Sequence, residues 1–180
     1  MAVPLEKTFL RDKYLGLAVE KPQIPDYVRK VAAENGVFEK PEFHISVLVA
    51  KSAQTAWRAI AARSDADLTS SLESLFKSYK WEYEPTSEYF SHEHAYTKSE
   101  LIENGEDVPP HTRRSVVQKV ALPDLSPFYL KVSKMLGTQL PVPVPHITLF
   151  AWSDYEPYKR RGIGINSAEE FQRFTVRRIS

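Results

Sequence analysis

A single domain mixing strands with helices is what this chain of 180 residues predicts, on three observations. Short apolar runs rich in β-branched residues alternate with stretches of helical period along its whole length. No shift in composition marks a boundary between domains. The length and a hydrophobic content of 42% suffice for one core without covalent staples. Interleaved strands and helices leave the class as α/β or α+β at this point.

The elements follow in order. Tyr14 to Val19 is a short apolar run ending at charged and proline residues, and it predicts a buried strand. Beyond Pro22 and Pro25, Asp26 to Asn35 predicts a helix with Asp26 as N-cap, Val28, Val31 and Ala32 as its apolar stripe, and Gly36 as its stop. Phe43 to Ala50 predicts a second strand. Apolar residues then recur at helical spacing over Ser52 to Ala62 and Leu68 to Tyr79. Trp57, Ile60 and Ala61 face the core from the first, and Leu72, Leu75 and Phe76 from the second. Lys80 to Glu84 alternates like a strand with one wet face. Residues 85–112 are polar, acidic and proline-containing, and are expected to form an insertion or lid loop. Val116 to Leu122 returns to strand character, and Pro123 to Gly137 to helix. Pro141, Pro143 and Pro145 hold an extended lead-in to a strand from Pro145 to Phe150. A short helix at Ser167 to Phe171 and a strand at Phe174 to Ile179 close the chain.

Composition removes several functions. With no cysteine there is no disulfide scaffold, zinc-thiolate site or cysteine nucleophile, and a reducing compartment is compatible. A net charge of +1 argues against electrostatic binding of duplex DNA, although Arg113-Arg114 and Lys159-Arg160-Arg161 are local basic clusters that suit a short phosphate-bearing ligand. Charges interrupt every apolar stretch of the first twenty residues, so no signal peptide or membrane span is expected and the cytoplasm is the default location.

Two segments align without gaps. His44-Ile45-Ser46-Val47-Leu48 and His146-Ile147-Thr148-Leu149-Phe150 share the pattern His, Ile, Ser or Thr, apolar, apolar, the second beginning 102 positions after the first. In a strand, residues two apart point to one face. Each motif therefore presents an imidazole and a hydroxyl side by side and turns its isoleucine into the core. Cleaving a phosphodiester needs one proton removed from the attacking oxygen and another given to the leaving oxygen. Histidine, with an ordinary pKa of about 6.5, can do either near neutrality. The hydroxyls of Ser46 and Thr148 can donate to the non-bridging oxygens as charge builds there.

In these two motifs the chain resembles the 2H phosphoesterase superfamily, which includes 2′-5′ RNA ligase-like proteins, cyclic nucleotide phosphodiesterases and RNA-end trimming enzymes. The resemblance rests on the motifs and on the order of elements around them; Ser46 stands where threonine is commoner. It implies a two-lobed, internally duplicated α+β fold with antiparallel sheets facing a central groove. It implies a metal-independent phosphodiesterase without cofactor, acting as a monomer on RNA-derived substrates: 2′,3′-cyclic phosphate ends, cyclic nucleotides or cyclic oligonucleotide signals. It also implies His146 as base and His44 as acid.

For substrate contacts, Trp152 and Tyr155 near the end of the second motif strand are candidates to stack a base. Arg160 and Arg161 are candidates to meet phosphate. Two other functions remain open: a module that binds phosphorylated RNA ends without turnover, and a metal-dependent hydrolase using His92, His94 and His111. Against the latter, His92 and His94 fall in what reads as a solvated loop, and prolines and arginines flank His111.

Overall fold

The computed structural model describes residues 3–4, 8–11, 14–63 and 66–180; part of the N-terminal stretch read above for targeting signals lies outside them. The fold is mixed α+β, and every strand pairing in it is antiparallel. The strands are β1 (Val3–Pro4), β2 (Thr8–Arg11), β3 (Tyr14–Val19), β4 (Phe38–Glu39), β5 (Phe43–Leu48), β6 (Glu82–Tyr96), β7 (His111–Ala121), β8 (His146–Ser153) and β9 (Thr175–Ile179). The helices are α1 (Asp26–Glu34), α2 (Ala50–Arg63), α3 (Ala66–Ser78), α4 (Lys98–Glu103), α5 (Leu125–Leu136) and α6 (Ala168–Phe174). The sheet runs β1-β6-β7-β8-β5-β3-β2, with β4 joining the flank of β8 and β9 the flank of β6. Among the described residues no helix is long and apolar enough to cross a membrane.

Two cores sit on opposite faces of the sheet. The larger lies under α1, α2, α3 and α5, where Val28, Ala56, Leu72 and Phe128 meet Ile45, Val47, Ile147 and Leu149 of the two motif strands. The smaller gathers Tyr96 and Val117 from the sheet with Leu101, Ile163, Ile165, Phe171 and Phe174. The chain from 162 to 174 therefore lies across the face opposite the helix layer. β5 alternates strictly until its end, with Phe43, Ile45 and Val47 buried and His44 and Ser46 half-buried, as its period of two demands.

Several local expectations need correcting. The segment 85–112 is no loop. Its first part completes β6, and α4 follows with a full capping box in which Thr97 and Glu100 satisfy each other's backbone N–H groups. The strand is hidden because beyond Glu84 it buries no aliphatic run: Tyr89, Ser91, His92 and Tyr96 are its buried residues, with Ser91 opposite Val116 and His92 opposite Ser115 of β7. Pro85 sits where the β6–β7 register slips, a place where a missing N–H costs nothing. Pro25, not Asp26, is the N-cap of α1, and no side chain caps it; Asp26 lies in the first turn. Ala61 is exposed, and Ala53 and Ala56 take the core positions of α2 beside Ile60. Gly137 does end α5, in the left-handed conformation (φ 63°) that favours glycine.

Candidate active site

The two motif strands are neighbours. β5 and β8 pair antiparallel with Ile45 opposite Ile147, and both isoleucines are fully buried in the larger core. Continuing that register puts His44 across from Thr148 and Ser46 across from His146. Residues directly opposite share a face, so the four polar side chains form one two-by-two patch on the side away from the helix layer. The histidines occupy its diagonal, where cross-strand side chains start roughly 7–8 Å apart. That leaves room for a phosphate between two inward-leaning rings. On the outer flank, β3 sets Gly16 beside Ser46 and Ala18 beside His44, so small side chains border the patch.

His146 is half-buried, and its Nδ1–H donates to the carbonyl of Val144 at 2.8 Å. This fixes the tautomer and leaves Nε2 as the basic nitrogen. Burial pushes its pKa below the ordinary histidine value, against a smaller opposing pull from the Val144 carbonyl. The imidazole is therefore neutral at neutral pH, which is the form a base needs.

A third histidine stands behind it. His92 of β6 is 1% exposed and has its pKa pushed down to about 4, by burial first and then by the charge of His146. The Thr175 hydroxyl donates to the carbonyl of Phe171 (2.6 Å) and accepts from His92 Nε2–H (3.0 Å). The Phe171 ring stands edge-on between the two imidazoles, 4.7 Å from His92 and 6.3 Å from His146. His92 thus ties the end of α6 in the position where Phe171 abuts His146. A further residue beside the motif, to which the sequence assigned no role, is Gly162. A Cβ there would stand 3.1 Å from Thr148 Cγ2 and 3.4 Å from Thr148 Oγ1, so any side chain at this position would press on the motif threonine by a few tenths of an ångström. Ser115 holds that stretch by accepting from Ile163 N–H at 3.0 Å.

The four expected substrate contacts are not gathered around the quartet. Trp152 packs against the larger core, on the helix side, and carries the Arg114 guanidinium over its ring. The bulge in β8 opposite Val116 and Val117 turns residues beyond Leu149 to the other face, which a count of two from Thr148 does not anticipate. Tyr155 lies beyond the end of β8 remote from His146, packed on His111 and Tyr158. The Arg160 guanidinium rests over Phe38. Arg161 does come next to Gly162, but its guanidinium binds Glu106 at 2.9 Å.

Glu106 is also the partner of Arg113, which is 1% exposed and lies over the rings of Tyr96 and Tyr158. Arg113 Nε donates to His111 Nε2, so His111 keeps its proton on Nδ1 and gives it to the Pro109 carbonyl. His94 pairs with Glu100 and stacks on Phe174. His92, His94 and His111 are thus built into the protein's own hydrogen bonds on the buried face of a strand pair, not in a solvated loop. Among the described residues, no three acidic, histidine or cysteine side chains converge as ligands would.

Compared with known proteins, the chain matches no family model, no curated protein and no solved structure, so the reading of its function rests on this geometry and on the two motifs.

Proposed function

We propose that this protein is a 2H-type phosphodiesterase that opens or cleaves RNA-derived phosphodiesters by paired-histidine acid–base catalysis, without a metal. The observation that carries the reading is the β5–β8 register, which sets His44, Ser46, His146 and Thr148 in one patch with the imidazoles on its diagonal. In hydrolysis of a 2′,3′-cyclic phosphate, Nε2 of His146 takes a proton from water as its oxygen attacks phosphorus. His44 gives a proton to the ribose oxygen that leaves, and the product is a phosphomonoester. The proton gained by His146 and the one lost by His44 are re-equilibrated with solvent before the next turnover. Ser46 and Thr148 donate to the non-bridging oxygens, where charge accumulates. The two-lobed interpretation belongs to the same proposal: β5 with β3 and β2 forms one half, β8 with β7 and β6 the other. The halves meet at the motif strands, and a monomer in the cytoplasm suffices.

The test is a panel of 2′,3′-cyclic mononucleotides, RNA with cyclic phosphate ends and cyclic oligonucleotides, each assayed with and without a chelator. His44→Ala and His146→Ala are expected to lower turnover at least about a hundredfold, the scale of a lost general acid or base. Near-normal turnover in either variant sinks the paired mechanism. Activity lost on chelation and restored by zinc or manganese does so too.

A further inference from the structure

The polar patch does not end at β8. On its inner flank the β7–β8 register sets Lys119 directly opposite His146, as Val117 stands opposite Thr148. Residues directly opposite share a face, so the Lys119 side chain rises beside the imidazole. The strands beyond β7 add two more charges on that face. Arg178 of β9 lies opposite Phe90 of β6, whose ring meets Phe171 on the quartet's side of the sheet. By the alternation of a strand, Arg177 turns the other way and approaches Glu34 of α1 in the helix layer. Glu88 of β6 stands between the two cations, 3.3 Å from Lys119 and 3.2 Å from Arg178.

One carboxylate thus serves two cations, and the row keeps a positive charge in excess. The side chains of Lys119 and Arg178 are 41% and 64% exposed. Ion pairs this wet contribute little to stability, so neither cation is committed to Glu88. Strands lie about 4.8 Å apart, which puts β7 about 7 Å and β6 about 12 Å from the centre of the patch. The first of these is a step that one nucleotide can span. On the opposite flank β3 sets only Gly16 and Ala18 beside the quartet, so the charge lies on one side of it. A positive row leading away from a phosphate site is what tracks the backbone of a single strand.

We propose that Lys119 and Arg178 hold the phosphate next to the reacting one, so that the substrate is an oligonucleotide end lying across β8, β7 and β6 and not a free cyclic mononucleotide. The assignment rests on the phosphodiesterase reading for the group at the quartet, but binding along the row needs no reaction. The probes are therefore a 2′-O-methyl RNA tetranucleotide ending in a 3′-phosphate, which has no internal 2′-hydroxyl to attack, and the matching mononucleotide 3′-phosphate. Titrated into the intact protein at low salt, the tetranucleotide is expected to bind at least about tenfold more tightly. Lys119→Gln and Arg178→Gln are each expected to narrow that advantage at least about threefold and to lower the slope of log K against log salt by about 0.7, the share of one single-strand phosphate. Glu88→Gln frees both cations and is expected to tighten the tetranucleotide, whereas a purely structural triad would lose thermal midpoint with affinity unmoved. Equal affinity for the two probes, an unchanged advantage and salt slope in Lys119→Gln, or a Glu88→Gln protein that binds no tighter overturns the row. Binding that depends on Lys119 in a protein that turns over no phosphodiester upholds the row and removes the catalytic reading. Turnover of cyclic mononucleotides with equal affinity for the two probes does the reverse.

Discussion

His92 and His146 show how one residue type takes opposite roles on two sides of the Phe171 ring. Burial lowers the pKa of both, but only His146 is partly exposed, with its Nδ1–H held by Val144 and no partner at Nε2 among the described residues. His92 donates its Nε2–H to the Thr175 hydroxyl, and its buried Nδ1 has no partner among the described residues. With its folded pKa near 4 against about 6.5 in the unfolded chain, the unfolded state takes up this proton first as pH falls. Its contribution to stability is full above about pH 6.5 and declines toward pH 4, on the order of 3 kcal/mol across that window. Urea unfolding of wild type and His92→Gln at intervals from pH 7 to 4 is expected to show a shallower decline in the variant; parallel curves refute the assignment. For turnover, the lowered pKa of His146 keeps the base neutral to lower pH, so the acid limb of the rate profile is expected below pH 6.5. A limb at pH 7 or above is incompatible with His146 as base. The sequence pointed to His146 because a repeated pattern marked it. The sequence offered His92 only as a possible metal ligand; its bond to Thr175, 83 positions away, has no local signal.

At the scale of elements, β5 and β8 could be found from sequence because their buried face is apolar and their other face carries a short polar signal. Of β6 only the start, within Lys80 to Glu84, could; beyond it the buried residues are tyrosine, serine and histidine, which make no apolar run. The segment after β8 carries no local signal of its use, which is steric: Gly162 abuts Thr148. Gly162 has no positive φ, so alanine there meets no backbone penalty, only the 3.1 Å contact with the Thr148 methyl. Gly162→Ala is therefore expected to keep stability while lowering kcat, as Thr148 turns to relieve the contact. Thr148→Ser removes that methyl and keeps the hydroxyl, so alone it is expected to be nearly neutral. Combined with Gly162→Ala it is expected to restore most of the lost rate. Thr148→Ala and Ser46→Ala each remove one donor to phosphate, and are expected to cost a few kcal/mol at most in transition-state binding. A double variant no faster than Gly162→Ala rules out this steric account.

For the whole molecule the question is what keeps the two motif strands in register, since β5 and β8 share only the Ile45–Ile147 pair in the sheet. The answer lies in the helix layer, which crosses that seam. The Tyr129 hydroxyl of α5 donates to the Val47 carbonyl of β5 at 2.8 Å, joining an element that follows β7 to a strand of the other half. Arg63 at the end of α2 donates to the carbonyls of Met135 and Leu136 at the end of α5, satisfying acceptors that a helix C-terminus leaves open. Apolar residues of both halves then share one core, with Ile45 and Val47 from one side and Ile147 and Leu149 from the other. If these ties set the register, the halves unfold together. Trp57, Trp81 and Trp152 sample α2, the start of β6 and β8, so tryptophan fluorescence and far-ultraviolet circular dichroism are expected to report one coincident urea transition. Tyr129→Phe leaves a buried carbonyl without its donor and is expected to lower stability by about 1–3 kcal/mol. The midpoint moves and the transition stays single, because the shared core remains. Fluorescence and dichroism transitions that separate in wild type would instead mean two autonomous halves, and the register of the quartet would then have to be fixed by substrate.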